Sequence, residues 1–520
     1  FFFRLRELVS MLVVSQEPTL IQEATYYFFV TTFILYLLYL WGCSALKPFG
    51  IFLKSASGVG VIMAFSVWCE FGEYFDQSGK IYERDSFIFV SIMFFGASIW
   101  TIQKTKLPTP KRADPDCLDK SEVIIPLMSR DQTEEWKGWM QFLFLMYHYF
   151  NAKEVYNPIR ILVSCYAFLT GYGNFMYFYH RKDYSLQRFV FMMWRLNFLT
   201  VVLMCAMDVP YILYYIVPLH TFYFCVTYAI MAIGKTWNDD RWKLSLKLMI
   251  AFTIIWILWD GPISEDLFDL VFLPLRPLLA MDGSLHEWHF RSYLDHYSTL
   301  FGIVFAFNVG QLSKFINFSE RQSKKVEYTL KGIVLIIVLY VFYEWFIHIL
   351  LIESRFDYNK FHPYFMLVPV VTYIYIRNLT PTLRSYHSEL CRIFGGLTLE
   401  TYLMQYHLFL SGHTKTLLAF LPGYSLSNLL LSFSLLCVVA HYLFHWTIQL
   451  RDPVCKFSSL KDFRNRIGNI FVITAYCLLV ATFFTPIIGT LFCLIFVILI
   501  ILFVPDLQSL MGTTSVIRVG

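Results

Sequence analysis

Five short stretches of this 520-residue chain carry ionisable side chains among apolar neighbours. The first is Ser129–Tyr149, SRDQTEEWKGWMQFLFLMYHY, in which Arg130, Asp131, Glu134, Glu135 and Lys137 lead into a hydrophobic run holding Gln141, Tyr147 and His148. At 1.5 Å per residue, Trp136 to His148 is roughly 18 Å of helix. One helix would therefore begin in charge at one membrane face and deliver an imidazole to the far half. Histidine titrates near neutrality and suits a general base, and the alternative is an imidazole hydrogen-bonded for helix packing. The second stretch, FVFMMWRLNFL, holds Arg195 and Asn197. A guanidinium there would neutralise a buried carboxylate or an anionic donor, or would snorkel to the nearer face, which leaves Asn197 unexplained.

The third stretch is a polar turn of Tyr214, Tyr215, Pro218 and His220 within a span. The fourth, His286-Glu-Trp-His289-Phe-Arg291, is followed by Asp295 and His296. Its histidines are three apart, not the four of HExxH, yet they still share a helix face. With only Glu287 and Asp295 as further ligands, no metal is expected, and substrate binding or proton relay competes with an interfacial hydrogen-bond network. The fifth, LTLETYLMQYHLFL, holds Glu400, Gln405 and His407, the outer two being two helical turns apart on one face. His441 and His445 share a face of a later span, with lining and structural readings balanced.

These groups must be held by membrane helices. The chain is 57% hydrophobic and only 15% charged, with a mean hydropathy of +0.55. Globular proteins carry nearer 25% charged residues, so the expectation is an all-α polytopic membrane protein with a polar intramembrane cavity. An aromatic content of 19% supplies interface girdles and helix packing. Eleven cysteines, mostly in apolar runs and without CxxC spacing, argue against disulfides and zinc. Nucleic-acid motifs, Rossmann and P-loop glycines and GxSxG are absent. No inverted repeat or matched pair of broken helices suggests a transporter.

Hydrophobic runs near 24–42, 51–69, 86–101, 136–150, 159–179, 189–207, 211–233, 244–259, 293–309, 332–352, 363–376, 397–410, 424–446, 468–486 and 487–504 predict about 15 spans, within 13–17. The chain divides into an interfacial segment 1–23, accessory spans 24–101, a cytoplasmic linker 102–128, a membrane core 129–446 and a C-terminal extension and tail 447–520. The connection 260–292, with Pro262, Pro274 and Pro277, reads as broken or re-entrant helix. Loops at 104–130, 180–188, 234–247, 312–331, 377–392 and 447–467 are basic and alternate with neutral or acidic ones. Their charge makes the basic loops cytoplasmic, with the acidic loop 70–85 and the N-terminus luminal and the C-terminus cytoplasmic. The sequons at Asn317 and Asn378 then carry no glycan. Phe1 is not a natural start, so the chain is expected to be cut from a longer one.

The stretches SRDQTEEWKGWMQFLFLMYHYFNAKEVYNPIR, TGYGNFMYFYHRKDYSLQRFVFMMWRLNF, LHEWHFRSYLDHY and TLETYLMQYHLFL resemble the plant reduced-wall-acetylation proteins. They also resemble the membrane domain of animal sialate O-acetyltransferases and the fungal capsule O-acetylation protein. The likeness covers roughly 60–446, is closest to the plant branch, and extends distantly to the bacterial acyltransferase-3 fold. It implies an O-acetyltransferase that takes cytoplasmic acetyl-CoA and serves glycans in the Golgi lumen, cell-wall or matrix polysaccharide before sialic acid. The alternative is a transmembrane acetyl-donor transporter or carrier feeding a separate luminal transferase. It implies His148, Glu400 and His407 as catalytic residues, with Arg130, Lys137, Arg195 and Asn197 toward the CoA donor. Tyr147, His286, His289, Arg291 and Gln405 fall on the acceptor side or near the developing oxyanion. No SGNH-type serine block is present, so a luminal partner or a missing upstream domain is expected; besides these and the glycan, the only partners are lipids.

Overall fold

The computed structural model describes residues 19–72, 74–105, 127–280, 283–412, 414–483 and 493–495. Residues 1–18 of the expected interfacial segment, 106–126 of the linker and most of the 487–504 span lie outside the described residues.

In chain order the helices are α1 Leu20–Leu40, α2 Gly50–Phe71, α3 Arg84–Trp100, α4 Arg130–Phe150, α5 Tyr156–Arg181, α6 Leu186–Met207 and α7 Ile216–Ala232. They continue as α8 Arg241–Trp259, α9 Ser264–Phe272, α10 Arg276–Leu279, α11 His286–Tyr293, α12 Ser298–Glu320, α13 Lys324–Trp345 and α14 Arg355–Phe365. The last are α15 Leu367–Arg377, α16 Pro381–Ser385, α17 Glu389–Gly396, α18 Thr398–Leu408, α19 Ser425–Cys455 and α20 Leu460–Phe483. Five short strands complete the set: β1 Asp76–Gly79, β2 Ile102–Lys104, β3 Tyr386–Ser388, β4 Leu410–Ser411 and β5 Thr416–Ala419. The protein is a helical membrane protein, but the strands depart from an all-α chain. At two to four residues each, they are too short to leave an alternating pattern. Among the described residues eight helical stretches are long and apolar enough to cross a membrane, and α7 and α15 are shorter apolar helices. Pro274 and Pro277 break the 260–292 connection into α9, a 3-10 turn and α10.

The chain forms two compact units. The first takes the described residues of Phe1–Lys80, Ser185–Val217 and Leu399–Gly520. Small residues let its helices approach: Gly60 of α2 leaves room for Phe29 of α1, and Gly58 for the Trp446 indole of α19. Ser57 donates to the Thr32 carbonyl at 3.1 Å, and Trp194 of α6 donates to the Thr447 carbonyl of α19 at 2.9 Å. Beyond the helices, β1 and β4 flank β5 in an antiparallel sheet, which ties the chain just after α2 to the chain just after α18.

The second unit comprises Ile81–Tyr184 and Pro218–Thr398. Here α4 starts at Ser129, whose hydroxyl accepts from the Gln132 N–H at 3.3 Å, with Asp131 in the positively polarised first turn. It stops at Asn151, which adopts the left-handed conformation (φ 52°). Helices α4 and α17 cross so closely that a Cβ on Gly138 would collide with the Cys391 carbonyl oxygen, and one on Gly395 with that of Glu134. Helices α5 and α12 touch in the same way at Gly171 and Gly302. At the basic end, Arg384 pairs with Glu320 at 2.6 Å and Arg377 with Glu135 at 2.6 Å. Strands β2 and β3 pair there, and Glu389 follows β3. The stretch Lys324–Leu350 is exposed over most of its surface, as a lipid-facing span would be.

Candidate functional site

In the first unit α6 and α18 bring together two ionisable side chains that sequence placed 205 positions apart. Arg195 Nη1 donates to Glu400 Oε1 at 2.5 Å and Nη2 to Oε2 at 3.1 Å, a two-pronged bond that fixes both planes. Glu400 is fully buried, whereas the Arg195 side chain keeps 26% of its exposure and lies 5.1 Å from the centre of the Phe444 ring. The Arg195 guanidinium thus neutralises the buried Glu400 carboxylate. Asn197 accepts from the Tyr211 hydroxyl at 2.5 Å and donates to the Met193 carbonyl at 3.2 Å.

Two turns further along α18, roughly 10 Å of rise, His407 meets Tyr214: Nε2 and the phenol oxygen are 2.6 Å apart. The other ring nitrogen, Nδ1, faces Glu70 Oε2 at 3.8 Å. The second carboxylate oxygen of Glu70 accepts the Gly412 N–H at 3.0 Å. Gln405 is fully buried, and neither its amide oxygen nor its nitrogen has a partner among the described residues. His441 and His445 meet edge-to-face at 4.6 Å between ring centres on an exposed face of α19.

The second unit holds the remaining expected residues. His148 occupies the last turn of α4, half-buried, with Phe144 and Tyr147 rings 4.4 and 5.3 Å from its own. Tyr147 is half-buried as well. At the opposite end of α4, Arg130 is exposed and Lys137 pairs with Glu134 at 2.7 Å. On α11, His286 is exposed, His289 sets its ring against Phe268 at 4.6 Å, and Arg291 pairs with Glu287 at 2.8 Å. Among the described residues no group of three or more His, Cys, Asp or Glu is placed to hold a metal ion. His220 bonds Thr170 Oγ1 at 2.7 Å.

Sequence reading missed a buried network in this unit. Arg160 donates to Asp295, whose other oxygen accepts the Ser164 hydroxyl. Ser164 Oγ also lies 2.7 Å from His362 Nε2, and His362 Nδ1 lies 3.0 Å from the Tyr358 hydroxyl. All five are 5% exposed or less. Arg160 inside an apolar run was the available signal, because a cation there demands a carboxylate. Nearby, Asp260 gathers the Tyr297 and Tyr364 hydroxyls at 2.7 Å each and His296 Nε2 at 3.1 Å. Burial pushes the Asp260 carboxyl up, but the donors from His296 and the two tyrosines outweigh it and hold the group below its ordinary value.

Residues 39–467 match the model of the 10 TM Acyl Transferase domain found in Cas1p. The chain belongs to this family. It is also 32% identical over 401 residues to the N-acetylneuraminate (7)9-O-acetyltransferase of Danio rerio, an alignment covering 75% of this chain and 49% of that one. The chain thus spans about half the length of the curated relative it matches. No solved structure matches. The family match takes in both units, and His148, Arg195, Glu400, His407 and Glu70 all lie within it.

Proposed function

We propose that the chain is a membrane O-acetyltransferase that moves acetyl groups from cytoplasmic acetyl-CoA to hydroxyls of glycans in the Golgi lumen. The observation that carries this reading is its 32% identity, over three quarters of its length, with a protein named for O-acetylation of N-acetylneuraminate. The buried ionisable groups support it, because a purely structural membrane domain gains nothing from their cost. The reading takes the N-terminus and the acidic loop 70–85 as luminal and the C-terminus as cytoplasmic, following the charge of the loops. If α3, α4, α5 and the α14–α15 pair also cross, the span count rises from the eight long helices toward the lower end of 13–17.

CoA phosphates are too costly to desolvate for the donor to cross the bilayer. On this reading the enzyme keeps the nucleotide at the cytoplasmic face, with Arg130 and Lys137 as its contacts, and presents the thioester within the membrane. His148 takes the proton of the acceptor hydroxyl as its oxygen attacks the acetyl carbonyl. The carbon–sulfur bond breaks, the thiolate leaves with the bonding pair, and it is protonated to free CoA. Within the first unit the Arg195–Glu400 pair is a rigid element, and within the second the reading assigns His286, His289 and Arg291 to the acceptor. Cell-wall or matrix polysaccharide is the acceptor class by the likeness to the plant branch, with sialic acid, the acceptor in the name of the Danio rerio relative, the second candidate.

The test is transfer of radiolabelled acetyl from acetyl-CoA to glycan by purified protein in vesicles. His148→Ala is expected to reduce turnover about 10²–10⁴-fold while CoA binding persists; full turnover in that variant refutes the base assignment. The second reading is an acetyl carrier feeding a separate luminal transferase. Label that crosses the vesicle or stays on the protein, with no acetylated glycan, supports that reading instead.

A further inference from the structure

The contact between Glu70 and His407 is incomplete. Glu70 Oε2 and His407 Nδ1 face each other at 3.8 Å, beyond hydrogen-bond reach. Neither atom has another hydrogen-bond partner among the described residues. The Glu70 side chain is 9% exposed and that of His407 4%. Buried polar atoms are nearly always satisfied, so two that face one another across a gap require an account. Both are held in place. Glu70 Oε1 is fixed by the Gly412 N–H at 3.0 Å, and the β1–β5–β4 sheet binds the chain beyond Glu70 to the chain beyond His407. His407 is held from its far side by Tyr214 at 2.6 Å. The gap therefore does not close by a simple side-chain swing.

A single oxygen at about 2.8 Å from each atom fits a 3.8 Å separation with an angle near a right angle at that oxygen. The proton placement decides what that oxygen must be. Where the Tyr214 hydroxyl donates to Nε2, the neutral tautomer carries its proton on Nδ1 and points a donor into the gap. The Glu70 carboxylate offers only acceptors. The occupant must accept from one side and donate to the other, which a hydroxyl or a water does and an ammonium, a carboxylate or a fully ionised phosphate does not. Ser411, next to Gly412, adds a fully buried hydroxyl oxygen with no partner among the described residues.

We propose that Glu70 and His407, with Tyr214 setting the imidazole tautomer, form a hydroxyl-binding site that seats a sugar hydroxyl of the glycan acceptor. The proposal rests on the transferase reading for the identity of its ligand and adds the group that recognises it. Glu70 and His407 are binding residues here, and Tyr214 is a positioning residue acting through His407. Water shares the chemistry, and the experiment separates the two.

Xylohexaose and N-acetylneuraminic acid are the probes, used with the full chain in detergent and in vesicles. Thermal-shift binding is measured for wild type, Glu70→Gln and Tyr214→Phe, and acceptor and donor KM are measured for the same proteins. Glu70→Gln keeps the oxygen that accepts from Gly412, so it should fold. The expected result is a ligand-induced rise in melting temperature in wild type that is lost in both variants, with acceptor KM raised about 10-fold or more and donor KM unchanged. Tyr214→Phe discriminates because it is remote from the ligand and acts only by freeing the tautomer. Unchanged acceptor binding and KM in either variant means the gap holds water, and the proposal falls. A wild type that neither probe shifts also overturns it. Binding without transfer leaves this site standing and removes the transferase reading.

Discussion

Substituting Arg195 by Met is expected to destabilise the first unit more than substituting its partner, although the same ion pair is lost. In Arg195→Met the fully buried Glu400 stays behind with neither its cation nor water. A charge left by a broken buried pair costs roughly 3–5 kcal/mol, which sets the expected loss. In Glu400→Gln the orphan is Arg195, whose 26% exposure and Phe444 neighbour leave it partly solvated, so the expected loss is about 1–2 kcal/mol. Replacing both with Met should come within about 1 kcal/mol of wild type, because no charge is left to strand. The assay is unfolding free energy in mixed micelles of increasing SDS fraction, as a double-mutant cycle. Additive single losses, or a larger loss in Glu400→Gln, would refute the reasoning.

Gly138→Ala should abolish folded protein by size-exclusion, because its Cβ meets the Cys391 backbone across the α4–α17 crossing. Gly173→Ala, with open space at its Cβ, should instead stabilise by about 0.5–1 kcal/mol through helix propensity. Glu389 gives a pH signature: the Arg392 guanidinium, helped by His387 and Gln103, holds its carboxyl down from 4.5 to about 2. A depressed carboxylate contributes stability that is full above its unfolded value and lost as pH falls through the folded one. Melting temperature should therefore decline between about pH 4.5 and 2, and Glu389→Gln should flatten that decline.

The long elements were legible because each is signalled locally. Ser129 ahead of an amphipathic charged turn announces the start of α4, and the prolines of 260–292 announce a broken helix. Arg195 was legible as a residue in need of an anion, but nothing local says that the anion is Glu400, because that pairing is tertiary. Glu70 was hidden for the opposite reason: it opens an acidic loop whose charges read as solvated surface, and only the sheet reveals it as buried. His362 lies just outside the hydrophobic run 363–376, so its contact with Ser164 left no periodic trace.

The interleaving of the first unit has a consequence for how the protein is made. Its three segments emerge far apart in time, and Arg195 enters the membrane 205 residues before Glu400 is synthesised. At roughly 5–20 residues per second, that is a wait of about 10–40 s. During it α6 must carry an unneutralised guanidinium, which the bilayer tolerates only by snorkelling or by a borrowed partner. A nascent chain halted between α7 and α18 would therefore expose a basic helix as a recognisable mark of incompleteness, one that membrane quality control could read and that the arrival of Glu400 erases.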